Sequence, residues 1–146
     1  MPLKRIALAS DHGGFEQKES IKTWLQSQGY SVKDLGPAND ASVDYPDYAH
    51  AVAKAIKKDE ADFGILICTT GLGVAIAANK VAGIRAVTVT SVDFARLARQ
   101  HNDANVLCLS GRFVDDALNK NICTAFLTAE FEDGRHARRV AKLEQV

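Results

Sequence analysis

The stretch GILICTTGLGVAIAANK, residues 64–80, decides the fold. Together with Asp62 and Phe63 its first half, DFGILIC, is apolar without alternation. That pattern suits a strand covered on both faces, as in a parallel sheet. The run stops at Cys68-Thr69-Thr70-Gly71 and passes into a helix predicted over 71–82 that is apolar nearly all round. So apolar a helix should be buried on most sides, more than one small domain can cover, which points to a subunit interface.

The same strand-then-helix rhythm extends in both directions. Strands are predicted over 4–10, 30–36, 62–68, 84–90 and 105–110, and helices over 14–28, 47–58, 71–82, 92–101, 114–128 and 134–145. Strict alternation with five strands implies an α/β, Rossmann-like three-layer αβα fold, with an open, doubly wound parallel sheet and an extra C-terminal helix. Residues 1–146 read as one domain. In helix 14–28, Ile21, Trp24 and Leu25 make the buried stripe, and Glu16, Lys18, Glu19 and Lys22 are expected mostly on the wet side. Ligands of such sheets bind beyond the carboxyl ends of the strands. The residues placed there are Asp11, His12, Cys68, Thr69, Thr70, Gly111 and Arg112.

Composition removes whole classes of function. Lys+Arg and Asp+Glu both number 18, so no net basic field recruits nucleic acid or an anionic membrane. No apolar run approaches the roughly 20 residues of a membrane span, and the start, MPLKRIALASDHGG, holds too few apolar residues for a signal-peptide core. A cytoplasmic location is the expectation. The three cysteines, Cys68, Cys108 and Cys123, form no CxxC pair, and the histidines form no HxxxH or HExxH. Neither a disulfide framework nor a metal site is expected, and no cofactor. Cys108 and Cys123 read as small buried hydrophobes.

The Gly71-Leu72-Gly73 turn resembles several nucleotide loops and fails each. A dinucleotide fingerprint needs Gly or Ala where Ile76 stands, and should follow the first strand. A P-loop needs a Gly-Lys pair, absent throughout. A cysteine phosphatase loop needs arginine where Val74 lies, and a phosphoacceptor reading of Asp11 needs a lysine that the strand NVLCLS lacks. What remains is a row of backbone N–H groups at a helix N-terminus, a place for anions. A thiol beside that positive dipole end is biased toward thiolate. Thiolate with oriented amides suits either nucleophilic acyl chemistry or proton abstraction beside a carbonyl.

A second charged element lies at the other end of the chain. In GRHARRVAKLEQV, residues 134–146, Arg135 and Arg139 fall one helical turn apart with Arg138 beside them. Guanidinium groups on one face can clamp a phosphate, although such faces are often merely solvated. RQHNDANV, residues 99–106, supplies His101 and Asn102 at a helix end, and DYPDY, residues 44–48, sets Tyr45 before a helix-opening proline.

Taken together, SDHGGF, VDYPDYA, LICTTGLGVAIAANKVAGIRA, RQHNDANVL and EDGRHARRV resemble the type B ribose-5-phosphate isomerases, whose superfamily includes the allose and galactose 6-phosphate isomerases. The resemblance runs through essentially the whole chain in the right order. It implies a metal-independent aldose–ketose isomerase of the pentose phosphate pathway acting on a small phosphorylated sugar. It implies Cys68 as the base that moves a proton between C1 and C2 through an enediolate. Thr69, Thr70, Gly71, Leu72 and Gly73 would form the anion hole, with Thr70 in the place of the loop threonine. His101 would assist ring opening, with Asp11 also linked to ring chemistry. His12, Arg112, Arg135 and Arg139 match phosphate contacts, and Tyr45 and Asn102 lie near sugar oxygens. The resemblance also implies a homodimer or tetramer whose sites are shared between subunits, the His101 segment coming from the neighbour.

One departure stands out. The usual loop reads Cys-Gly-Thr-Gly, and here it reads Cys68-Thr69-Thr70-Gly71. A β-branched residue at 69 disfavours positive φ and adds bulk near the reacting carbons, so an altered sugar preference or rate is expected. Ribose 5-phosphate is the leading substrate, with allose, galactose and erythrose phosphates as alternatives. A non-catalytic sugar-phosphate binder is the other class of reading, against which the combination of Cys68, His101 and Asp11 speaks.

Overall fold

The computed structural model describes residues 3–146. Five strands, β1 (Arg5–Ser10), β2 (Ser31–Asp34), β3 (Phe63–Cys68), β4 (Ala86–Thr88) and β5 (Val106–Ser110), form one sheet in the order β2-β1-β3-β5-β4. Every pairing is parallel. Helices α1 (Phe15–Ser27), α2 (Tyr45–Lys57), α3 (Leu72–Asn79), α4 (Val92–Asn102), α5 (Asp116–Thr128) and α6 (Arg135–Leu143) complete the three-layer fold with its extra C-terminal helix. From β1 the chain winds out to β2 and then returns to β3 on the other side. The crevice between the ends of β1 and β3 is therefore the topological switch point, where open α/β sheets bind ligands.

Side chains of successive strand residues point to opposite faces, and the core divides accordingly. Ile65, Ile67, Leu107 and Leu109 pack with Ile21 and Leu25 of α1, Ala95 of α4 and Phe126 of α5. Leu66, Cys68, Val106 and Cys108 pack with Ala49, Val52 and Ala53 of α2 and Val74 and Ala78 of α3. The second layer is rich in alanine, which lets α2 and α3 lie close to the sheet and to each other. Burial pushes the thiols of Cys108 and Cys123 well above the usual range, so both behave as small apolar groups.

Several elements differ from expectation for local reasons. α3 ends at Asn79 rather than near 82 because the Asn79 side chain bonds both backbone groups of Ala86, Nδ2 donating to its O at 2.9 Å and Oδ1 accepting from its N at 2.8 Å. That bridge also sets the start of the short β4. β2 stops at Asp34, whose carboxylate accepts the Gly36 N–H at 2.9 Å and turns the chain. α2 begins at Tyr45, with Pro46 in its first turn.

Lys18 is not on the wet side: it is fully buried. It shares the α1 face with Ile21 and Leu25, three and seven residues on, and its Nζ reaches Asp34 at 2.8 Å and Glu19 at 2.8 Å. A buried ammonium persists only with such partners. α3 shows the apolar surface that one chain by itself leaves uncovered. Val74 and Ala78 are buried against the sheet and α2, but Leu72 and Ile76 are 57% and 63% exposed. No helix among the described residues is long and apolar enough to cross a membrane.

Candidate active site

Cys68 is the last residue of β3 and is buried. Its Sγ accepts the Gly71 N–H at 3.1 Å. That contact requires the chain to double back within three residues, and Gly71 does so at φ +80°, immediately before α3. A side chain at Gly71 would be strained there and would press on the Leu109 carbonyl. The N–H is aimed at sulfur at the end of α3 where the unpaired amides carry partial positive charge. Thr70 Oγ1 accepts the Leu72 N–H at 3.1 Å, and Thr88 Oγ1 donates to the Gly71 carbonyl, so both ends of the turn are held.

The loop after β5 clamps this turn from one side. Gly111 N donates to the Cys68 carbonyl at 2.8 Å, and the Thr69 carbonyl accepts both Ser110 Oγ at 2.7 Å and Arg112 N at 3.3 Å. Beneath it, Asn119 Nδ2 donates to the Ser110 carbonyl at 2.9 Å and to Gln17 Oε1 at 2.8 Å. Thr69 takes no positive φ; among the described residues other than glycine, only Asp59, Asp103 and Asp133 do. Its side chain finds room because residue 13 is glycine: a β-carbon there would sit 2.3 Å from Thr69 Oγ1.

The loop after β1 forms the other side. Asp11 is buried, its Oδ1 accepting the Gly14 N–H at 3.1 Å while its own N–H donates to the Ile67 carbonyl at 3.2 Å. His12 Nδ1 accepts the Val43 N–H at 3.2 Å, which draws the irregular 37–43 loop toward the site. The Tyr45 ring lies against Gly73, where an added β-carbon would come within 2.7 Å of it. Arg112 is exposed, its guanidinium 5.4 Å from the centre of the Phe113 ring. Cys68, Asp11, His12, Tyr45, Thr69, Thr70, Gly71, Leu72, Gly73 and Arg112 thus share one end of the sheet.

His101, Asn102, Arg135 and Arg139 do not join them within the chain. α4 starts beyond the carboxyl end of β4 and runs back for 11 residues, roughly 16 Å, to the amino end of β5. There Asn105 N donates to the Arg85 carbonyl at 3.0 Å, fixing the strand starts side by side. Asn102 lines a groove of about 610 Å³ at this end, with Asn79, Arg85 and Glu144. α6 packs on α4 here, and the His101 and His136 rings stack with centroids 4.3 Å apart and planes 9° from parallel. Glu132 Oε1 lies 3.6 Å from His101 Nε2 and 3.7 Å from His136 Nε2. Burial holds the His136 imidazole below its usual range, helped by His101 and Arg135 and opposed by Glu132.

Histidines far apart in sequence are therefore adjacent in space. The ligand atoms of His101, Glu132 and His136 lie within 4.8 Å of one another. Nearly parallel rings, however, direct their nitrogen lone pairs side by side rather than onto one point, a poor fit to tetrahedral metal ligation. Ser110, Glu132 and His136 escape a reading of the chain alone. Ser110 carries a weak signal, a hydroxyl at a strand end just before Gly111 and Arg112; Glu132 and His136 carry none until α6 is docked.

Residues 6–143 match the family model described as Ribose/Galactose Isomerase. A probable ribose-5-phosphate isomerase B of Mycoplasma genitalium is 53% identical over 140 residues, covering 94% of this chain and 92% of its own. Ribose-5-phosphate isomerase B of Escherichia coli is 46% identical over 144 residues, 99% of this chain and 97% of its own. Among solved structures, a ribose 5-phosphate isomerase of Thermotoga maritima superposes with a TM-score of 0.96 at 50% identity, over 98% of this chain and 99% of its own. The Mycoplasma genitalium ribose-5-phosphate isomerase B solved with bound ribulose-5-phosphate gives 0.92 at 52% identity, over 97% and 94%. With its switch-point thiol, its clamped turn and this agreement along its whole length, the chain belongs to the ribose/galactose isomerase family, among the type B ribose-5-phosphate isomerases.

Proposed function

We propose that this chain interconverts ribose 5-phosphate and ribulose 5-phosphate by proton transfer at Cys68. The carrying observation is the Gly71 N–H aimed at Sγ at 3.1 Å, in a turn whose remaining amides head α3. The Cys68 thiolate takes the C2 proton of the open aldose, and electrons move to O1 to give the enediolate. The amides of the 69–73 turn not engaged by Sγ or by Thr70 Oγ1 stabilise that oxygen, an electrostatic role well matched to a helix N-terminus. The thiol then returns the proton to C1 while the O2 hydroxyl proton passes to O1, leaving the ketone at C2. Atoms and charge balance with no other reactant.

The separation of the two residue groups supports a site completed by a second copy of the chain. His101, Asn102, Arg135 and Arg139 of one copy would close over Cys68, Asp11, His12 and Arg112 of the other. The exposed Leu72 and Ile76 beside the Cys68 turn supply apolar surface for that contact. Arginine forks and His12 suit the phosphate, and Tyr45 the sugar hydroxyls.

Cys68→Ser and Cys68→Ala test the assignment. Turnover of ribose 5-phosphate should fall at least 1,000-fold, on the order expected when an essential base is lost, with substrate still bound in a direct titration. Retained turnover removes Cys68 from the chemistry. A kcat/KM series over ribose, allose, galactose and erythrose phosphates, repeated on Thr69→Gly, measures what Thr69 does. An unchanged ranking would show that it does not set sugar preference.

A further inference from the structure

We propose that Glu132 and His136 are positioning residues for His101, holding its imidazole in the orientation that opens the sugar ring. The inference rests on the proposed role of His101 and goes beyond it to two residues that this role does not name.

His101 sits on the last turn of α4 and is half-exposed, so nothing on its own helix fixes its ring. Two contacts from other elements do. The flat face of His136 lies 4.3 Å away and nearly parallel, and Glu132 Oε1 meets the His101 Nε2 edge at 3.6 Å. Face and edge together leave the ring little freedom about either side-chain torsion. His136 is itself a firm platform: it is buried, and its backbone N–H donates to the Asp133 carbonyl at 3.0 Å, anchoring the first turn of α6. Glu132 is tied to the end of α4, its N–H donating to the Gln100 carbonyl at 3.0 Å. Arg99 pins that end in turn, through Asp103 at 2.7 Å and the Ala104 carbonyl at 2.8 Å. The charged groups facing the pair are Glu132 from the connecting segment and Arg135 and Arg139 from α6.

The arrangement has a chemical use. Opening a furanose breaks the C1–O4 bond, delivers a proton to O4 and removes one from the C1 hydroxyl. An imidazole that performs both transfers is transiently an imidazolium. A carboxylate 3.6 Å from its edge stabilises that cation electrostatically. His136, kept toward its neutral form by burial, does not compete for the charge of Glu132.

Substrate chemistry separates positioning from general damage. Ribose 5-phosphate is a closed ring in solution. Ribulose 5-phosphate cannot close to a furanose, because its C5 hydroxyl is esterified. Deuterium uptake from D2O into C1 of ribulose 5-phosphate therefore reports the Cys68 step without ring opening. The experiment measures both reactions for the wild type, His101→Ala, Glu132→Gln, His136→Ala and His136→Phe. Glu132→Gln should lower kcat for ribose 5-phosphate about ten-fold, in line with a loss of acid–base efficiency, with KM and deuterium uptake within two-fold of wild type. His136→Ala should show the same split, and His136→Phe, which keeps a flat face, should recover most of the rate. Equal losses in both reactions, or no loss in Glu132→Gln, overturn the proposal while the role of His101 stands. Full turnover of ribose 5-phosphate by His101→Ala overturns both.

Discussion

Ser110 Oγ donates a 2.7 Å hydrogen bond to the carbonyl of Thr69, so the loop after β5 holds the turn that carries Cys68. The strand order makes this possible. β5 lies between β3 and β4, and Cys68 and Ser110 are partners in register at the strand ends. The same Oγ accepts the Phe113 N–H at 2.9 Å, so one hydroxyl joins two loops.

Ser110→Ala removes both bonds inside a buried site. Stability should fall by about 1–2 kcal/mol, the usual cost of leaving such groups unpaired. Because the 69–73 turn loses one of its anchors, kcat should fall about ten-fold, with a smaller rise in KM from the loosened Arg112 loop. Steady-state kinetics and a urea titration decide this. A stability loss with unchanged kcat would make Ser110 structural only.

Gly13 and Thr69 should be energetically coupled. A methyl group at residue 13 would meet Thr69 Oγ1 at 2.3 Å, so Gly13→Ala should destabilise by about 1–3 kcal/mol through overpacking. Thr69→Gly clears that space, and the double variant should recover most of the loss. Four melting or denaturation curves close the cycle. Additive losses would mean that the two side chains do not share the space.

The buried Lys18 depends on Asp34. Asp34→Asn leaves the ammonium with Glu19 alone and should cost about 3 kcal/mol, as expected when one partner of a buried pair is removed. The pH dependence has a definite sign. Burial alone would raise the Asp34 carboxyl, but hydrogen bonds from Lys18, Lys22 and the Gly36 N–H bring it below its ordinary range. Hydrogen bonds from Lys18 and Lys22 do the same for Glu19, and one from Arg5 for Asp62. Carboxyls lowered by folding contribute fully above their unfolded values near pH 4 and lose that contribution as pH falls through the native ones. The urea midpoint should therefore be flat from about pH 7 to 5 and fall steeply below about pH 4. Asp34→Asn should flatten the descent; an unchanged curve would show that Asp34 does not contribute to it.

Ile76→Glu tests the proposed shared site without touching either group of polar residues. A carboxylate placed in an apolar contact is poorly tolerated there. The variant should elute as a monomer with unaltered circular dichroism, and kcat/KM should fall at least 100-fold, the scale of a disassembled active site. A variant that remains a dimer, or a monomer that stays active, contradicts a site built from two copies.

Most of the sheet is readable in the chain because DFGILIC, KRIALAS and NVLCLS are continuous apolar runs divided by helical segments, and parallel sheets demand this. The strand-end position of Cys68 follows from the same pattern. Lys18 is misread because a side chain's charge argues for water, whereas its place on the α1 face is decided by an Asp34 that arrives only when β2 pairs with β1. α3 is misjudged at its end because Asn79 bonds Ala86, a contact between elements. His101 and His136 show the same limit: their stacking depends on how α6 docks against α4, and no local spacing encodes it. The Thr69 hydroxyl points into space vacated at Gly13, a compensation visible only when the first and third loops are seen together.

The division of polar groups between opposite poles of the sheet has a genetic consequence. On the proposed site shared between two copies, subunits lacking Cys68 and subunits lacking His101 would each be inert as pure homodimers. Mixed and reassembled, one copy of each would create a doubly defective centre and, across the axis, a centre with every native group intact. Two dead proteins should thus regenerate measurable turnover simply by exchanging partners.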